Sequence, residues 1–275
     1  MIRIITDSIS DMTLEEGREF GIDIVPLTVS FGEESFIDMV TIDRKEFYEK
    51  LATTKELPVT GMPSPKQFLD VYKKYPHDDI IGIFVAARSS GTLQSATLAK
   101  NETGRDNIHI IDSDSMTGGL NLLVRLACRY RDEGDDVKTI VAKIEAIKDR
   151  VEVLAVMETL EYLIKGGRLS ATGGAIANIL SIKPLAGIRN GKVISAGKAR
   201  GMKAGISSIV KSVKEARDES LPIMAIYSYD TKNLDLLMEE LNEDCPFCSV
   251  GSVVGTHSGP NAVGLAYFRK PKEDQ

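Results

Sequence analysis

Through its first half the chain alternates short β-branched runs with longer stretches of helical periodicity, and this rhythm restricts the fold more than any other feature. Ile2–Ile5, Ile24–Ser30, Asp79–Ala86 and Asn107–Asp112 are apolar runs of strand length. Around them lie helical patterns near Thr13–Phe20, Asp43–Ala52, Pro65–Lys74, Ser90–Glu102 and Ser115–Glu133. Strands separated by helices cannot close as tight hairpins; they become parallel neighbours, and a parallel sheet needs helices on both faces. Phe31 to Val40 departs from the rhythm and reads as a hairpin turning at Gly32-Glu33-Glu34.

The pattern changes after Asp132-Glu-Gly-Asp-Asp136 and a further helix near Val137–Arg150. Val151–Met157 is strand-like, two helical pieces flank Gly166-Gly167, and Pro184–Ile188 and Lys192–Ala196 are joined by Asn190-Gly191, a two-residue hairpin signal. Helix Lys203–Glu219, strand Pro222–Ser228, helix Thr231–Asn242 and strands Ser249–Val254 and Gly264–Phe268 follow. The expectation is an α/β protein of two domains: residues 1–150 as an N-terminal α/β/α domain with a parallel sheet, and 151–275 as a C-terminal α+β domain with a mixed sheet and helices. At 275 residues and 43% hydrophobic the chain can fill both cores.

Gly255-Thr256-His257-Ser258-Gly259-Pro260 sets one of three histidines between glycines, at the end of the expected strand Ser249–Val254. The reading is an imidazole presented from a turn, or a surface turn that happens to hold a histidine. Four further segments put hydroxyls beside glycine, proline or acid at strand ends or helix starts. They are Thr6-Asp7-Ser8 through Asp11, Thr60-Gly61-Met62-Pro63-Ser64-Pro65, Ser89-Ser90-Gly91-Thr92, and Asp112-Ser113 through Gly118-Gly119. In an open α/β sheet ligands bind beyond the carboxyl ends of the strands, so these loops should converge there, although Ser, Thr and Asp are also ordinary helix N-caps. Lys165-Gly166-Gly167-Arg168 offers a fixed cation for a carboxylate or phosphate, or a plain helix C-cap. Gly174–Leu180 and Leu120–Leu126 would line an apolar pocket or fill core.

Several classes drop out. GxxxxGK[ST], GxGxxG and a GxSxG elbow are all absent, which removes the recognised routes to ATP, dinucleotides and a hydrolase serine. Asp112-Ser-Asp114 superficially suggests an aspartyl phosphatase, but its threonine falls one position off. Cys245-Pro-Phe-Cys248 has the spacing of redox and zinc sites but no second pair to complete a tetrahedron, so no metal is expected and the thiols should be reduced. No run reaches the ~18 apolar residues of a membrane span, and Met1 leads directly into Ile2-Arg-Ile-Ile5 without a basic leader, so a cytoplasmic location is expected. Tyr162–Lys214 holds ten cations and no acid; an overall charge of −6 therefore leaves −16 on the rest. Such a block suits an anion or a docking partner, while one aromatic and no binding module argue against nucleic acid.

Taken in order and spacing, Thr6-Asp-Ser8, Thr60-Gly-Met-Pro-Ser64, Ser90-Gly-Thr92, Asp112-Ser113, Gly166-Gly-Arg-Leu169 and Gly255-Thr-His-Ser-Gly-Pro260 resemble the DegV family of fatty-acid-binding proteins. The resemblance spans nearly the whole chain. It implies one long-chain fatty acid held between the two domains, no other cofactor, and the role of the fatty-acid-binding subunit of a bacterial fatty acid kinase. In that complex a separate ATP-binding subunit phosphorylates the acyl carboxylate to an acyl phosphate for phospholipid synthesis, and such a carrier could exchange transiently with a membrane. Carried over by motif, Thr60, Ser90 and His257 would bind the carboxylate, and Arg168 and His257 would support phosphoryl transfer. Ser8, Gly61, Ser89, Gly91 and Thr92, with Ser113, Gly118, Gly167 and Ser258, would belong to the pocket or its nearby loops. Three positions depart from the pattern: Gly61 stands where serine is frequent, Asp114 where a basic residue is common, and Asn261 where glycine is usual. The competing class is a stand-alone hydrolase or phosphotransferase acting on a small acid in the same cleft.

Overall fold

The computed structural model describes residues 1–170 and 181–271. In chain order the first half gives β1 (Ile2–Asp7), α1 (Leu14–Phe20), β2 (Ile22–Val25), β3 (Thr28–Phe31), β4 (Glu34–Ile37) and α2 (Arg44–Thr53). There follow β5 (Val59–Gly61), α3 (Pro65–Lys74), β6 (Asp79–Phe84), α4 (Thr92–Thr103), β7 (Ile108–Asp112), α5 (Gly118–Asp132) and α6 (Val137–Ile147). Strands β2-β1-β6-β7 form one sheet whose pairings are all parallel, as the alternation requires. The loops after β1, β6 and β7 consequently open on one edge, and Asp7 ties two of them by accepting from the Val85 amide at 2.8 Å. Local signals set the helix starts: Thr13 and Ser64 each close a capping box, with Pro65 at the first helical position of α3.

The expected single strand Ile24–Ser30 is two strands in two sheets. Pro26 has no N–H to donate, so the parallel ladder stops at Val25, and the chain re-enters as β3 in a small antiparallel sheet, β4-β3-β5. Periodicity gives no strand at β5; pairing of Thr60 with Val29 makes it an edge strand.

The second half gives β8 (Val151–Val156), α7 (Glu161–Lys165), β9 (Ile182–Arg189), β10 (Lys192–Arg200), α8 (Met202–Ala216) and β11 (Met224–Tyr227). The chain continues through α9 (Lys232–Leu241), β12 (Phe247–Ser249), α10 (Ser252–Ser258) and β13 (Val263–Phe268). Its sheet runs β10-β9-β8-β13-β11-β12, antiparallel except for the β11/β12 pair. Asn190 and Gly191 both take positive φ, 49° and 70°, the geometry of the hairpin turn. Helices α8 and α9 cover one face with Ile206, Ile209, Val213 and Leu237. Helix α5 packs on the other face and also against β1 and β6, so it lies between the two large sheets. A Cβ on Gly118 would meet Ile226 and Ala266 of the second sheet, which is why glycine starts this helix. Leu120, Leu122, Leu123 and Leu126 are accordingly core, not pocket wall. The other expected pocket segment, Gly174–Leu180, lies outside the described residues. Among the described residues no helix is long and apolar enough to cross a membrane.

Candidate functional site: an apolar cavity with a polar mouth

The two large sheets leave between them a cavity of about 280 Å³. Its wall follows from strand alternation: along β8, Val153 and Ala155 face the cavity with Met157 beyond them, while Leu154 and Val156 face α8. Ala186 and Ile188 of β9, Val193 of β10 and Ile226 of β11 extend this wall. The opposite side comes from the loops beyond the parallel strands, with Ile9, Leu27, Val85 and Met116.

The lining also carries polar groups, Thr60, Ser89, Ser90, Thr117, Arg168, His257 and Ser258, with Gly61, Met62 and Gly91. Thr60 Oγ1 and His257 Nε2 are 3.3 Å apart, although the residues are 197 positions apart in sequence. Strand β5 delivers the threonine and helix α10 the histidine. The expected strand Ser249–Val254 ends at Ser249, and Ser252–Ser258 is helical, so His257 sits in a last helical turn instead of a loop. The β-branched pair Val253-Val254 is overruled by the tertiary groups that satisfy the first amides of this helix. The glycines keep a purpose: a Cβ on Gly255 would meet Phe47 and Tyr48 at 2.7 Å, and Gly259, at φ 70°, ends the helix.

The imidazole is closely surrounded. A Cβ on Gly166 would collide with His257 Nδ1, so this glycine makes room for the ring. Gly166 also ends α7 and accepts from Arg168 Nη1 at 2.7 Å, so the segment is a helix C-cap whose guanidinium is tethered to it. Burial, and secondarily the Arg168 charge, pushes the imidazole down to about 4, leaving it neutral at pH 7 in the ligand-free protein. Ser90 Oγ is 2.8 Å from Thr92 Oγ1 and accepts from the Thr92 amide at 3.3 Å.

Five residues expected in the pocket or its loops stand behind the lining. Ser8 is buried and accepts from the Leu27 amide, Ser113 closes a turn on Ser115, and Thr92 is buried in the first turn of α4. Gly118 is packed between helix and sheet, and Gly167 takes φ 71° beyond α7 on the exposed side. Sequence reading missed most of the wall, notably Met62, Val153, Ala155 and Ile226. The period-two run Val153, Ala155, Met157, with a small central side chain, was the available signal. Cys245 and Cys248 are free and buried, and burial pushes both thiols up. Among the described residues no cluster of His, Cys, Asp or Glu could hold a metal ion. Of the ten block cations, Lys165, Lys183 and Arg189 are paired with Glu161, Glu158 and Glu152, which spread the charge less widely than the sequence suggests.

Residues 1–270 match the family described as "Uncharacterised protein, DegV family". The chain belongs to the DegV family. A DegV domain-containing protein of Clostridium acetobutylicum is 34% identical over 275 residues, 98% of this chain and 99% of that one. Among solved structures, a fatty-acid-binding DegV protein from Thermus thermophilus aligns with a TM-score of 0.88 at 26% identity, over 98% of this chain and 99% of that chain. A stearic acid-binding protein from Eubacterium ventriosum gives 0.88 at 25% identity, with the same coverage. The Streptococcus pneumoniae fatty acid kinase B3 protein, loaded with linoleic acid, gives 0.86 at 24% identity over 98% of this chain and 100% of that chain, and shares the fold.

The three departures of this DegV chain have local explanations. A side chain at Gly61 would collide with the Thr28 hydroxyl, which donates to the Gly61 carbonyl at 3.4 Å. Asn261 holds φ 62°, a conformation asparagine tolerates better than most residues. Asp114 is outside the cavity lining, and its carbonyl accepts from the Gly191 amide of the β9–β10 hairpin at 2.7 Å.

Proposed function

We propose that this protein binds one long-chain fatty acid, with its alkyl chain in the cavity and its carboxylate at Thr60, Ser90 and His257. The observation that carries the reading is a mostly apolar cavity whose lining also holds hydroxyls, an imidazole and a guanidinium, with Thr60 against His257. Each buried CH₂ contributes about 0.8 kcal/mol, whereas a carboxylate must keep hydrogen-bond donors, so such an amphiphile fits tail inward. Fatty acids in the solved DegV relatives support the same ligand class. Residues 1–150 and 151–275 form the two halves that clasp it.

The chain then presents the carboxylate to a separate ATP-dependent kinase subunit, as a cytoplasmic carrier without turnover of its own. The bound carboxylate is already the nucleophile, so no base is required. His257 is neutral when the site is empty; an adjacent carboxylate favours the imidazolium, so loading should draw a proton onto the ring. The charged ring and Arg168 then stabilise the anion that develops at the mouth during phosphoryl transfer. Lys198, Arg200 and Lys203, which make no ion pair among the described residues, are the candidate docking cations.

Mass spectrometry of an organic extract of the purified protein tests the ligand, and one equivalent of long-chain fatty acid is expected. His257→Ala should retain that lipid but lower kinase-dependent acyl phosphate formation at least tenfold. Release of product from a small acid by the purified chain alone would overturn the carrier reading in favour of a stand-alone enzyme.

A further inference from the structure

Helix α10 places His257, yet no side chain of its own caps its start, because Gly251 occupies the N-cap. Two carboxylates from the other half of the chain satisfy its first donors. Asp11 accepts from the Gly251 amide at 2.8 Å; Asp38 accepts from the Ser252 hydroxyl at 2.6 Å and the Ser252 amide at 3.3 Å. The two aspartates are 1% and 2% exposed. Carboxylates this deep are costly, and a surface cap would satisfy the same amides more cheaply. A Cβ on Gly251 would stand 3.1 Å from the Asp11 carboxyl, a tight contact, and 3.6 Å from that of Asp38, an ordinary one, so glycine eases the approach of Asp11. Arg44 secures this corner by donating to the Asp11 carbonyl at 2.7 Å, and the Tyr48 hydroxyl donates to the Val250 carbonyl at 3.3 Å.

The same cluster reaches the cavity wall. The second oxygen of Asp11 accepts from the Thr117 hydroxyl at 2.5 Å, and Thr117 lines the cavity. Thr117 and Asp11 both hold positive φ, 48° and 55°, as does Met39 beside Asp38 at 63°. For a β-branched residue this is an outlier, kept only where surrounding contacts over-determine it.

We propose that Asp11 and Asp38 are positioning residues for the head-group histidine, fixing the start of α10 so that His257 Nε2 stands against Thr60. A seven-residue helix is marginal by itself, so its placement depends on anchors outside it. His257 is six residues beyond Gly251, about 9 Å along the axis at about 1.5 Å per residue, and a shift at the start carries through to the ring. This inference rests on the reading of the mouth as a carboxylate site.

The test follows the His257 ring by NMR in the full-length chain labelled with ¹⁵N-histidine, first without ligand and then with stearate. Asp11→Ala and Asp38→Ala should move the ligand-free His257 titration at least one pH unit upward from about 4, toward its ordinary value. They should also lower kinase-dependent phosphorylation of stearate at least tenfold while leaving about one stearate bound. Asp11→Asn and Asp38→Asn keep an acceptor oxygen in the same shape and should restore both readouts, whereas Gly251→Val, whose methyls must push into the Asp11 carboxyl at this buried N-cap, should reproduce Asp11→Ala. An unmoved His257 titration in the folded alanine variants overturns the proposal. If those variants do not fold, an unmoved titration in Gly251→Val overturns it equally. Wild-type protein that binds no stearate would defeat the functional reading alone, because the ligand-free titration still reports whether the aspartates place the ring.

Discussion

At the scale of single residues the site is built as much by missing side chains as by present ones. Gly166 leaves room for His257, and Gly251 eases the approach of Asp11. Gly166→Ala should therefore push the imidazole off Thr60 and lower acyl phosphate formation at least tenfold. Far-UV circular dichroism should stay unchanged, because φ at this position is −75° and suits alanine. A kinase assay beside the spectrum separates loss of placement from loss of fold. These positions were legible as a glycine-flanked histidine and a Gly-Gly-Arg motif. Their mutual contact was not, since no local pattern tells residue 166 that residue 257 will stand over it.

At the scale of elements, strand alternation decides the cavity wall. Ala155 is the small residue at the centre of the β8 face, between Val153 and Met157. Ala155→Leu should fill part of the cavity and shorten the longest chain accommodated. Excluding three methylenes at about 0.8 kcal/mol each costs about 2.4 kcal/mol, a factor of about 50 in stearate affinity, with little loss for a shorter acid such as laurate. Competitive displacement of a fluorescent fatty acid by the two acids measures the ratio. The strands and most helices followed from periodicity and caps, as with the Ser64-Pro65 start of α3 and the Asn190-Gly191 hairpin. Besides the strand that Pro26 splits, the exceptions are β5 and α10, short elements whose donors are satisfied by distant partners, Val29 for one and Asp11 with Asp38 for the other. Those two carry Thr60 and His257.

At the scale of the whole molecule, buried ionisable groups tie stability to pH. Burial pushes Asp7 and Asp11 up to about 7 from 3.8 and raises Asp38 as well, so over that range the folded chain holds protons that the unfolded chain has released. Their contribution falls as pH rises from about 4 to about 7. His257, depressed to about 4 from 6.5, acts the other way, its contribution rising with pH across that interval. Three carboxyls outweigh one imidazole. Thermal melts of the ligand-free protein should show a lower Tm at pH 8 than at pH 5.5, and Asp11→Asn should shrink the difference. A Tm that rises over this range would contradict the assignment.

The sequence by itself determined the two-sheet α/β architecture, the convergence of loops at the ends of parallel strands, and the glycine-flanked histidine, because all three arise from local periodicity and turn chemistry. Only the tertiary structure decided that the histidine rides a helix and meets Thr60, that Leu120–Leu126 is core, and that Asp11 and Asp38 hold the helix in place. Each of those outcomes depends on groups far apart in the chain. Their satisfaction is settled when the sheets close on each other.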